Sequence, residues 1–177
     1  MEKKKYTFED LCMMKPAQLE EVFKQGVTPD FKKLAGWEFR GYNVTPVAKL
    51  LGIQKFKKGF YYKNDQPFGY NIPVVQNRFW AGWECLPDNQ EPKRFGFYSV
   101  KKVNPADKEN KEPHAFILNY GDGDNSLFDG KFLRDYLVQV DPENPDLYLG
   151  KAYIALGPMR IFSNFFVLER HRESWLK

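Results

Sequence analysis

The residues best suited to chemistry in this chain are few and scattered. Gly121-Asp122-Gly123-Asp124-Asn125-Ser126 sets Asp122, Asp124 and Ser126 at the alternate spacing of a calcium loop. The pattern then fails. Counted from Asp122, the sixth position is Leu127 where the loop needs Gly, and the twelfth is Leu133 where it needs a bidentate Glu. An acidic turn between strands is the plainer reading. His114 and His171 are each able to serve as a general base, but no Ser or Cys nucleophile motif accompanies them. Cys12 and Cys85 form no Cys-x-x-Cys pair, and two Cys with two His at these spacings make no zinc site. Glu84, Arg134, Asp135 and Tyr136 could orient a ligand head group or could face solvent. With no Gly-rich phosphate loop, Walker pattern or dinucleotide fingerprint, neither a cofactor nor a metal is expected.

The elements that must position these groups can be read from periodicity and turn chemistry. Thr7 with Asp10 reads as the capped start of a helix. Pro16 suits the first position of a second helix. Leu19, Val22 and Phe23 then fall on one face, and Gly26 ends it. Thr45-Pro46 to Leu51-Gly52 predicts another short helix. Ala35, Trp37 and Phe39 alternate with Gly36, Glu38 and Arg40, which is strand periodicity. After Gly52, strands are expected near 56–63, 67–75, 78–86, 94–103, 114–121, 132–140, 147–156 and 160–170. Asn64-Asp65-Gln66-Pro67, Pro87 to Pro92, Asn104 to Pro113, Asp141 to Asp146 and Leu156-Gly157-Pro158-Met159 separate them. About nine strands at hairpin spacing without helical crossovers predict a mainly β, antiparallel up-and-down barrel, since closure removes exposed edges. A two-sheet sandwich is the competitor. Residues 1–31 would be a helical segment packed on a barrel of residues 32–177.

At the Trp37 strand the chain resembles the lipocalin/calycin barrels. Those carry a Gly-x-Trp on the first strand and a basic residue late in the barrel that packs over the Trp. Here Gly36 directly precedes Trp37, one residue closer than in the family, and Arg170 on the closing strand is the matching cation. Gly36-Trp37-x-x-x-Gly41 followed by a short helix is also similar to small bacterial lipocalin-like domains, which bring no assigned chemistry. The resemblance implies a calycin-like fold and a small-molecule binding role.

Aromatic residues make up 17% of the chain and supply both faces of their strands. One face would build the core. The other reading is a cavity lined by Trp37, Tyr61, Phe79, Trp83, Phe97 and Phe165, with Arg170 as a polar contact, for a small hydrophobic molecule such as a lipid or fatty acid. A cofactor-free enzyme using His114 or Glu84 at the barrel mouth, and an interaction or homodimer module, are the alternatives.

Bulk properties narrow the setting. The chain has 177 residues and a net charge of +4. Its lysine pairs and runs, including Lys55 with Lys57-Lys58, read as solvated surface, and their scatter makes a nucleic-acid partner unexpected. Mean hydropathy is −0.61. No stretch approaches the ~20 apolar residues of a spanning helix. The unpaired cysteines and a start with no apolar run behind Lys3-Lys4-Lys5 point to a reducing, cytoplasmic compartment.

Overall fold

In a computed structural model, which describes residues 5–45, 48, 50–123, 125, 126, 130–174 and 176, eight antiparallel strands close into a barrel in sequence order. They are β1 Trp37–Asn43, β2 Lys55–Lys63, β3 Gln66–Pro73, β4 Phe95–Lys102, β5 Phe116–Asn119, β6 Leu133–Asp141, β7 Asn144–Leu156 and β8 Met159–Glu173. β8 returns to β1 with Gly41 opposite Leu168 and Asn43 opposite Phe166. The Asn64-Asp65 turn has both residues at positive φ (51° and 60°), the twist that matches a two-residue hairpin.

The ninth expected strand, near 78–86, is instead a loop. Its carbonyls turn toward an ammonium. Lys55 Nζ donates to the carbonyls of Arg78, Ala81 and Gly82 and to Asn77 Oδ1, and lies 3.8 Å from the centre of the Trp83 ring. Backbone acceptors used this way cannot build a ladder. Trp83 anchors the loop by donating from Nε1 to the Gly41 carbonyl at 3.0 Å. The helix expected from Thr45 falls partly outside the described residues.

Three helices precede the barrel: α1 Phe8–Cys12, α2 Pro16–Gln25 and α3 Phe31–Leu34. Thr7 and Asp10 form the predicted capping box. Gly26 ends α2 in an extended conformation, and the position needs glycine because a Cβ there would stand 2.6 Å from the Val138 side chain. α1 and α2 lay Phe8, Leu11, Leu19, Val22 and Phe23 over the outer face of the barrel, against Tyr136, Val138, Leu149, Phe165 and Val167. α3 instead joins the inner cluster: Phe31 and Leu34 pack with Phe39, Phe60 and Phe116 and plug the lower end. Strand glycines lie under neighbouring rings. Ideal Cβ atoms at Gly69 and Gly150 would stand 2.2 and 2.1 Å from Tyr98 and Phe166 ring carbons. These glycines let the large rings cross the narrow interior.

Candidate functional site at the lower rim

The barrel wall is not uniformly sealed. β3 and β4 share only three register pairs, Phe68 with Ser99, Gly69 with Tyr98 and Asn71 with Phe95. In that register Pro67 would face Val100 and Gln66 would face Lys101, but the strands have parted by then. Pro67 brings no N–H to a ladder. The gap is a cleft of about 570 Å³, and its wall runs from outward Phe68 and Ser99 to inward Val100, Phe116 and the α3 residue Phe31. Lys101 and Lys102 stand exposed at its edge. Lys101 pairs with Asp122 at 3.3 Å, and Asp122 also accepts the Ser99 hydroxyl at 2.7 Å. The cleft is therefore apolar in depth, with Lys101 and Lys102 outweighing Asp122 at the rim, and it can hold an amphipathic molecule with a negative end.

Beyond the cleft the barrel is filled. Phe39, Phe60, Tyr98, Leu118, Leu137, Tyr148 and Leu168 have 0% exposure, which leaves no water-sized space beside them. One polar knot sits among them. Lys58 Nζ lies 2.9 Å from Asp135 Oδ2 and 2.9 Å from Asn71 Oδ1, and it also donates to the Tyr120 hydroxyl. Those three acceptors match the three donors of an ammonium. The rings of Tyr98 and Tyr120 flank it at 4.8 and 5.0 Å. Burial pulls the Lys58 ammonium below its ordinary range, against the opposing pull of Asp135. Burial likewise holds the Tyr98 and Tyr120 hydroxyls well above theirs.

The residues expected to line a cavity separate into two groups. Trp37 and Arg170 lie on the inner face at the lower end, with the guanidinium carbon 4.4 Å from the Trp37 ring centre. Arg170 also donates to the Lys33 and Pro145 carbonyls and pairs with Asp146, so it ties α3 to the start of β7. The other five residues belong elsewhere. Phe165 and Trp83 are buried on the outer side in the helix-covered cluster, with Phe79 packed against them. Tyr61 and Phe97 pack on an outer cluster with Tyr70 and Ile72. They also line a smaller hollow of about 350 Å³ that shares Phe68 and Asp122 with the cleft. Trp37 edges a third hollow, of about 340 Å³, with Tyr62.

Three of the four β2 lysines correct the surface reading: Lys55, Lys57 and Lys58 are buried, while Lys63 is exposed. Asp135 points into the barrel, Tyr136 lies under the helices, Arg134 pairs with Glu109, and Glu84 is exposed. His114 lies against the N-terminal segment, its Nε2 3.1 Å from the Phe23 carbonyl. None of these lines the cleft. Alternation could have assigned Val100 and Phe116 inward, but nothing local in the sequence marks where β3 and β4 separate. No family model, curated protein or solved structure matches the chain. Among the described residues no helix is long and apolar enough to cross a membrane.

Proposed function

We propose that the protein binds a small, mostly apolar molecule with an anionic head, such as a fatty acid, at the β3–β4 cleft. The observation that carries this reading is the open wall itself: apolar Phe31, Val100 and Phe116 in depth, with Lys101 and Lys102 at the edge. The filled interior argues for a ligand seated in the cleft rather than threaded through the barrel. Each CH₂ taken from water contributes about 0.8 kcal/mol. About ten give roughly 8 kcal/mol gross, which association costs reduce to micromolar affinity or weaker. The Arg170–Trp37 stack supports placing the barrel with the calycin-like folds, and the two free cysteines support a reducing compartment. Calorimetric titration with dodecanoate tests the reading. Saturable micromolar binding is expected, about tenfold weaker for the Lys101→Glu/Lys102→Glu double variant, with dodecanol unaffected. Absence of saturable binding, or equal loss for acid and alcohol, counts against it.

A second reading has its own observation. The upper end of the barrel exposes Leu50, Leu51, Ile53, Leu156, Met159 and Ile161. Ile154 faces Ile161 and Leu156 faces Met159 across the β7–β8 hairpin, giving one apolar face beyond the end of β1. Such a patch suits a second copy of the chain. Sedimentation velocity would show a dimer that Leu156→Asp/Ile161→Asp dissociates; a monomer at all concentrations removes this reading.

A further inference from the structure

Outside the barrel wall, opposite the Lys58 knot, lies a second buried polar cluster that the cleft does not use. Lys57 is 1% exposed, and the partner found for its ammonium is Cys85 Sγ at 3.1 Å. Arg172 approaches the same sulfur, its Nη2 at 3.5 Å, while its Nε donates to Glu38 Oε2 at 2.6 Å. Glu38 is fully buried and accepts the Tyr70 hydroxyl at 3.0 Å, so its negative charge is engaged by Arg172 and Tyr70. Arg94 lies over the Tyr70 ring, 5.3 Å from its centre, and its buried Nε finds no hydrogen-bond partner among the described residues. Lys57 and Arg172 thus converge on the one sulfur, and of the two only Arg172 also pairs with the carboxylate. A neutral thiol is a weak acceptor for an ammonium with no water to turn to. A thiolate would supply the missing counter-charge.

We propose that Cys85 is held as a thiolate by Lys57 and Arg172 and is the chain's reactive sulfur toward small electrophiles such as hydrogen peroxide. The sulfur attacks one peroxide oxygen and an S–O bond forms. The O–O bond breaks, the attacked oxygen keeps its hydrogen, and the second oxygen leaves to solvent as hydroxide with the negative charge. Sulfur is oxidised to the sulfenic acid, and the peroxide is reduced. The two cations that hold the thiolate remain placed to bond the new oxygen. Cys85 is 2% exposed, so the loop joining β3 to β4 must open for reagent to enter, and selectivity rather than speed is the expected mark. Cys12 provides an internal contrast. It is also buried, and burial first, then Glu9, hold its thiol well above the ordinary range against the opposing pull of Arg40.

Raman spectroscopy of the S–H stretch reads this directly in the folded protein. At neutral pH the native chain should give the S–H intensity of one thiol, against two after unfolding in urea at mildly acidic pH. Cys12→Ala should abolish the native band. Lys57→Met in that background should restore it and slow peroxide oxidation at residue 85 at least tenfold, measured by peptide mass. Two native S–H groups, a band that persists in Cys12→Ala, or oxidation of Cys12 ahead of Cys85 overturns the proposal. If Lys57→Met fails to fold, the native spectrum and the order of oxidation decide by themselves.

Discussion

At the scale of single residues, β2 carries most of the unusual physics. Lys58 and Asp135 form an ion pair with side-chain exposures of 3% and 5%. Such a pair adds little net stability, but removing one partner strands a buried charge. Asp135→Asn should therefore lower the unfolding free energy in urea by about 3–5 kcal/mol. The Lys58→Met/Asp135→Leu double variant should recover most of that loss. A loss below about 1 kcal/mol for Asp135→Asn would show that the knot opens to water. The knot was only half legible in the sequence. Asp135 stood out as a buried polar candidate, whereas Lys58 sat in a run of lysines that resembles a solvated face. Their pairing crosses the barrel, and no local pattern encodes it.

His171 makes a second prediction at this scale. It occupies the extra position of β8 where the register with β1 shifts, between the partners of Glu38 and Phe39. Its side chain keeps an exposed face, yet partial desolvation, then the positive charges of Lys57, Arg172 and Arg40, push its pKa down from 6.5 to about 4. Between those values the unfolded chain holds a proton that the folded chain does not. Stability contributed by neutral His171 is thus present above pH 6.5 and falls as pH drops toward 4. His171→Gln should flatten that part of the stability–pH curve, measured as the wild-type minus variant difference in urea midpoint; parallel curves would contradict it.

At the scale of elements, the chain uses size contrast between neighbouring strands. Gly150 lies opposite Phe166, and Gly69 opposite Tyr98, so that a ring can cover each glycine. Gly150→Ala forces the Phe166 ring or the backbone to move and should cost about 1–3 kcal/mol. Gly150→Ala/Phe166→Leu should cost less than the sum of the two single changes, which a double-mutant cycle in urea measures. Additive costs would mean that the ring does not rest on the glycine. α1, α2, the turns and the last strands were legible because caps, Pro, Gly and Asn-Asp carry local instructions, whereas the short α3 was not expected. The segment containing Phe79, Trp80 and Trp83 misleads, since its aromatics match strand composition while its carbonyls solvate Lys55.

At the scale of the whole molecule, the sequence pointed to closure but not to inside and outside. Both faces of most strands are apolar, because α1, α2 and the connecting loops cover the outside. Phe165 and Phe166 are adjacent, and one packs under the helices while the other fills the barrel. An aromatic excess that suggests a lined cavity is therefore spent on two cores, and the proposed ligand space is instead the cleft where β3 and β4 part. The most direct test of that account is a two-dimensional amide NMR titration of the folded chain with dodecanoate. The account predicts saturable shifts clustered at Phe31, Phe68, Val100, Lys101, Lys102 and Phe116, with Phe39, Leu137 and Tyr148 unmoved. Shifts centred on those interior residues, or no saturable shifts, would contradict it.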